Sequence, residues 1–329
     1  MRSVVSSGES MARHAEEVDR AAALARTVAL VNDKGGVGKT TLAVNLAGQL
    51  AGAGFACLLV DLNRQANVAR DLGYRDAASD DHGRNLFDAV TGRAQLEPVP
   101  GVRPGLDVAP GGIELDDLVS HMVGRMGREG LEANLALGNA LAPLAPSYDF
   151  VIIDSPPEAT FLVDLCLYAA RWILIPTRSD GAGLDGMANV AKRFAVAKQY
   201  NPGLRLLGAV LFGTGVRSTS IHDEVRDEIA QAFDGQSPLF SAFIRFSEKT
   251  AQDGRRMGRL AHELEEDLAA QPAWWKALRE GKRQGPRISA TAASVAGDYR
   301  DLALEVLSVL RETEEQQSAS VEAVEGAQQ

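Results

Sequence analysis

Two cysteines in 329 residues exclude a disulfide framework, and both sit inside apolar runs, Cys57 in FACLLV and Cys166 in LVDLCLY, where buried thiols are expected. Histidine is also scarce. His14, His82, His121, His222 and His262 show no metal-ligand spacing. No run approaches the roughly 18 apolar residues a membrane-spanning helix needs. The first residues carry Glu9, Glu16, Glu17 and Asp19 where a secretory signal would be basic and then apolar, so a cytoplasmic protein is expected. An excess of positive charge is missing too. The formal net charge of -10 repels nucleic acid and acidic membranes, so a polyanionic partner must be held by a local basic patch.

What is present is an ordinary globular composition, 45% hydrophobic and 24% charged, enough for one sizeable α/β core. Short β-branched runs recur between turn residues: TVALVN (27–32), FACLLVDL (55–62), LDVAPG (106–111), DFVIIDSP (149–156), WILIPTR (172–178) and RLLGAVLFG (205–213). Continuous apolar strands of this kind belong to a parallel sheet covered on both faces. Helical patterns lie between them, with Leu42, Leu46 and Leu50 on one face and Ile221, Val225, Ile229 and Phe233 on another. The expected fold is a doubly wound, mainly parallel α/β domain spanning 26–312, with an insert near 260–289. Residues 1–25 read as a helical or disordered extension, and 313–329 as an acidic disordered tail.

The segment NDKGGVGKTT (Asn32 to Thr41) departs from the phosphate-loop pattern G-x-x-x-x-G-K-[ST], having Asp33 at the first position and a second lysine, Lys34, behind it. A strand runs into it and a helix leaves it. Gly35, Gly36, Val37 and Gly38 would offer backbone N–H groups to phosphate oxygens, joined by the N-terminus of the helix beginning near Lys39, with Thr41 in its first turn. Lys39 supplies a charge to the terminal phosphates and Thr40 a hydroxyl to Mg²⁺. Asp61 and Asp154 end two of the strands, where ligands of a parallel sheet collect, and join Thr40 as candidate Mg²⁺ residues.

The loop KGGVGKTT, the segment LLVDLNRQAN, the strand YDFVIIDSPP and the stretch LLGAVLFGTGVRSTSIHDEV resemble the ParA branch of the deviant-Walker P-loop ATPases, relatives of MinD and nitrogenase iron protein. FIRFSEKTAQDGRRMG and AGDYRDLALEVL extend the resemblance over about 285 residues, Arg26 to Leu310. It implies an ATP-sandwiched homodimer with Mg²⁺, in which Lys34 is the signature lysine that crosses to the partner's phosphates. The family's D-x-D-P-Q strand end is here Asp61-Leu62-Asn63-Arg64-Gln65, so the acid that orients or activates the attacking water is an amide. Asn63 can hydrogen-bond a water but cannot take its proton. ATP binding and dimerisation are therefore expected, with Lys34, Lys39 and Asn63 as the catalytic set and hydrolysis slow or partner-stimulated.

The resemblance also implies binding of nonspecific DNA, a nucleoid-associated location in the cytoplasm, and a ParB-like or other stimulatory partner. Arg217 and Arg245 match family DNA-contacting arginines, and Arg255 and Arg256 stand nearby. A further basic cluster, Lys276, Arg279, Lys282, Arg283 and Arg287, is interrupted only by Glu280, a local charge of +4. Trp274 and Trp275 either anchor the insert or face a partner. The expected function is partition or positioning of DNA, in plasmid or chromosome segregation. The alternative is a nucleotide-gated scaffold for a protein assembly with little or no hydrolysis. A MinD-like membrane switch fits poorly with the acidic end of the chain, and an iron-sulfur reductase with cysteines inside apolar runs.

Overall fold

Residues of each apolar run alternate between the two faces of one sheet, and both faces are covered. The computed structural model describes residues 19–157, 160–214, 219–232, 239–271 and 288–326. Eight strands form the sheet: β1 (Thr27–Leu30), β2 (Cys57–Asp61), β3 (Val99–Arg103), β4 (Leu106–Ala109), β5 (Phe150–Asp154), β6 (Trp172–Thr177), β7 (Arg205–Thr214) and β8 (Ile244–Arg245), in the order β3-β4-β2-β5-β1-β6-β7-β8. All neighbours are parallel except β3, which folds back on β4. On one face Val28, Leu30, Leu59, Ile152 and Leu174 pack with Leu42, Leu46 and Leu50 of helix Lys39–Gly52 and with Tyr299, Leu302 and Val306 of helix Ala292–Gly326. On the other, Ala29, Val31, Val60, Ile153 and Ile173 pack with Leu137, Val163, Leu167 and Val190 from other helices. The doubly wound α/β fold expected from the sequence is present.

Both cysteines are free and buried. Burial, reinforced by Asp149, pushes the Cys57 thiol up to about 12, and burial raises Cys166 as well. Among the described residues, no helix is long and apolar enough to cross a membrane.

Three features differ from the sequence reading. Strand β3, VPGVR, has no apolar run because it is an edge strand, half exposed, turning back through Pro104 and Gly105 (φ 75°). The extension is not separate from its first described residues onward: Leu24 is in the core, and Trp172 donates its indole N–H to the Ala25 carbonyl at 3.1 Å. The acidic C-terminus continues as helix to Gly326. Arg26 donates from Nε and Nη2 to the two carboxylate oxygens of Glu314, at 2.9 and 3.0 Å, one turn beyond the last buried leucine, Leu310. Of the insert, helix Ala261–Ala270 packs on Ala292–Gly326, whereas Trp274, Trp275 and the +4 cluster fall outside the described residues.

Candidate functional site

The carboxyl ends of β1, β2, β5 and β6 open on one cavity of about 570 Å³, walled by the glycine loop, Lys39, Thr40, Asn63 and Ser155. Strand β1 delivers the loop. Gly36 (φ 76°) and Gly38 (φ 92°) take left-handed conformations that disfavour side chains, and a Cβ on Gly38 would come within 2.5 Å of the Phe212 ring. Gly38 is also the residue from which helix Lys39–Gly52 starts, so the turn and the helix end coincide. Lys39 is 6% exposed, and its ammonium donates to the carbonyls of Asn32 and Lys34, 2.8 Å each, bracing the loop from inside.

Parallel pairing of β2 with β5 sets Asp61 beside Asp154 in register. Asp154 accepts the Thr40 hydroxyl at 2.6 Å through Oδ2, while its Oδ1 is buried without a hydrogen-bond partner. Asp61 accepts the backbone N–H groups of Asn63 (2.9 Å) and Val68 (3.3 Å). Burial, against the opposing pulls of the Thr40 hydrogen bond and the Lys39 charge, pushes the Asp154 carboxyl up to about 7. Burial and then the neighbouring Asp154 hold Asp61 well above the carboxylate range. Two crowded buried carboxyls, an orphaned oxygen and an adjacent hydroxyl fit a hard divalent cation, which would relieve both costs at once. The buried Ser155 hydroxyl on the same wall also lacks a partner.

Asn63 is 4% exposed, and its Oδ1 accepts the Gln65 N–H at 3.0 Å. Gly111, which the sequence reading passed over, allows this geometry: a Cβ there would sit 2.5 Å from the Asp61 carbonyl oxygen and 2.7 Å from that of Asn63. Its signal in the sequence is the paired glycine after VAP. Lys34 does not line the cavity. Its stem lies instead against Gly186 of helix Gly181–Tyr200, where an added Cβ would meet Lys34 Cγ at 2.8 Å.

The arginines read as DNA contacts are dispersed. Arg245 binds Asp298 through Nε (2.7 Å) and Nη2 (2.6 Å), fastening β8 to the last helix. Arg255 leans toward Asp71 across a 4.0 Å gap, and Arg256 pairs with Asp253 at 2.9 Å. Arg217 falls outside the described residues. Asp71 is a further wall residue the sequence did not single out, raised by burial and held by Arg70 at 3.2 Å.

A family model described as an AAA domain matches residues 25–206, more than half of the chain. The chromosome partitioning protein ParA of Myxococcus xanthus is 32% identical over 63% of this chain and 71% of its own length. The chain belongs to the ParA/Soj family of chromosome-partitioning P-loop ATPases. Two solved structures share the fold of this ParA-family chain. Cobyrinic acid a,c-diamide synthase from Mycobacterium smegmatis with bound ADP and magnesium has a TM-score of 0.59 at 26% identity, covering 80% of this chain and 99% of that one. The ATP complex of a Cyanothece McdA variant has a TM-score of 0.62 at 21% identity, with the same coverage. One scaffold thus carries a diamide synthase and McdA, and the chemistry of this ParA-family chain resides in its side chains.

Proposed function

We propose that this protein is an ATP- and Mg²⁺-dependent dimerising ATPase that binds nonspecific DNA and partitions or positions it, with slow or partner-stimulated hydrolysis. The observation that carries the reading is the different placement of the two loop lysines: Lys39 lies buried inside its own loop, bonded to its carbonyls, whereas the stem of Lys34 lies against Gly186 of a neighbouring helix. A second lysine whose stem packs on the neighbouring helix and not inside its own loop suits a charge supplied in trans, which would make dimerisation depend on nucleotide. The loop N–H groups and Lys39 would hold the phosphates, and Thr40, Asp61 and Asp154 would hold Mg²⁺. The cation would neutralise phosphate charge. Asn63 would then orient a water without taking its proton.

Asn63 favours one second reading, a nucleotide-gated scaffold that loads on DNA and positions a protein cargo while scarcely hydrolysing. Single-turnover hydrolysis with and without DNA and a cognate ParB-like partner separates the two. For DNA itself, the chain's acidity demands local contacts, and of the candidates Arg256, with a side chain 56% exposed, is the most accessible described arginine. Binding of random-sequence duplex should need ATP and fall linearly in log affinity with log salt, with a slope near 0.9 per phosphate contacted. Salt-independent binding, or equal binding with ADP, would refute the DNA assignment.

A further inference from the structure

Five arginines line the cavity: Arg70, Arg178, Arg245, Arg255 and Arg259. Four of them face carboxylates, three at hydrogen-bond distance and Arg255 only at 4.0 Å. Arg245 clamps Asp298, whose side chain is 7% exposed; Arg70 and Arg255 flank Asp71, 9% exposed; Arg259 forks onto Asp267 at 2.8 and 3.0 Å. All four sit away from the root of the phosphate loop, on α-helices, on β8 or, for Arg259, between two helices. Arg178 differs. Its acid, Asp180, is two residues away in the same turn, 56% exposed, and meets Arg178 Nε at 3.3 Å. An exposed pair of this kind contributes little and exchanges readily for a stronger anion.

Its position is set by the sheet. Strand β6 lies beside β1, and Arg178 is the first residue past its carboxyl end. The loop is tied to that end: Asn32 donates its side-chain amide to the Pro176 carbonyl at 3.0 Å and accepts the Lys34 N–H, also at 3.0 Å. Arg178 thus emerges next to the root of the phosphate loop, on the cavity wall, on the strand adjoining the one that carries the loop. Lys34, the other cation at this edge, is not on that wall.

We propose that Arg178 is a cis-acting phosphate ligand: it contacts the terminal phosphate of the nucleotide bound in its own subunit, while Lys34 serves the neighbour's. The guanidinium offers a planar fork of donors matched to phosphate oxygens, in a site where two buried carboxyls otherwise leave positive charge short. The proposal rests on the reading that the cavity takes ATP, and it assigns the discrimination of triphosphate from diphosphate to a residue of this chain.

Nucleotide affinity of the full-length protein, measured by titration calorimetry with Mg²⁺ and either ADP or a slowly hydrolysed ATP analogue, tests it in the parent, R178A and R178K, each with and without Lys34→Ala. Loss of a charge-assisted contact should weaken the triphosphate by roughly 10- to 100-fold in R178A and leave ADP within about twofold. R178K should recover part of the loss as a point charge. The effect should persist in the Lys34→Ala background, because it is exerted within one subunit. Equal affinities of parent and R178A for the triphosphate would overturn the assignment, as would an equal loss for both nucleotides or disappearance of the effect with Lys34→Ala. Failure of the parent to bind either nucleotide would overturn the reading of the cavity, and this proposal with it.

Discussion

Replacing Asn63 by aspartate should accelerate hydrolysis, and the structure indicates by how much. Asn63 follows Asp61 by two residues, is 4% exposed, and lines the same cavity as the loop. The Oδ1 that accepts the Gln65 N–H has a counterpart in aspartate, so Asn63→Asp preserves the local turn while exchanging the amide donor for a charged proton acceptor. A positioned base contributes about 10²- to 10⁴-fold, equivalent to roughly 3 to 5 kcal/mol of barrier. Against this stands the charge of the site: a third carboxyl beside Asp61 and Asp154 resists ionisation. That resistance brings its pKa nearer to neutrality, where a base works well, and also weakens triphosphate binding somewhat. The assay is single-turnover hydrolysis at saturating protein, with ATP affinity measured alongside. A rate gain of at least about tenfold is expected even after these offsets. An unchanged rate with unchanged affinity would refute the argument that the amide limits turnover.

Gly38→Ala should abolish tight nucleotide binding, because alanine at φ 92° is strained by about 1–2 kcal/mol and its methyl would overlap the Phe212 ring; parent-like affinity in a fluorescence titration would contradict this. Removing Mg²⁺ should expose a pH dependence of stability set by Asp154 together with Asp61, whose carboxyl is also raised by burial. The folded pKa of Asp154, about 7, exceeds the ordinary 3.8, so the stability it contributes is full below pH about 4 and is lost as pH rises to about 7. Chemical denaturation in EDTA should show this slope in the parent and a weaker one in Asp154→Asn, and a parent curve rising over that window would contradict it. Asp298→Ala should cost about 1–3 kcal/mol by leaving Arg245 without its carboxylate. A thermal melt lower by several degrees is expected, and an unchanged melt would show that the clasp carries no stability.

The parts of this fold that could be read from the sequence are those encoded locally. Strands β1, β2, β5 and β6 are continuous apolar runs because both faces of the sheet are covered, and Leu42, Leu46 and Leu50 mark their helix by spacing alone. The same holds for Lys39 and Thr40, whose partners are fixed by a short motif, and for Asp154, which ends an apolar strand. Edge strand β3 escaped because one covered face and a Pro-Gly turn leave no such run. Arg178 and Gly186 escaped because their meaning depends on β6 lying beside β1, a matter of strand order. For Arg245 the local match pointed to a surface contact, but its partner Asp298 lies 53 residues further on, and only the packed helix brings the two together.

Everything proposed for the DNA cycle follows from Lys34 acting across a subunit boundary, with Lys39 and Arg178 serving their own subunit. Light scattering coupled to size exclusion, on the parent and on Lys34→Ala with ADP and with ATP plus Mg²⁺, tests this most directly. The account predicts a parent that is monomeric with ADP and dimeric with ATP, and a Lys34→Ala protein that still binds ATP but stays monomeric. A Lys34→Ala protein that pairs on ATP as readily as the parent would contradict it.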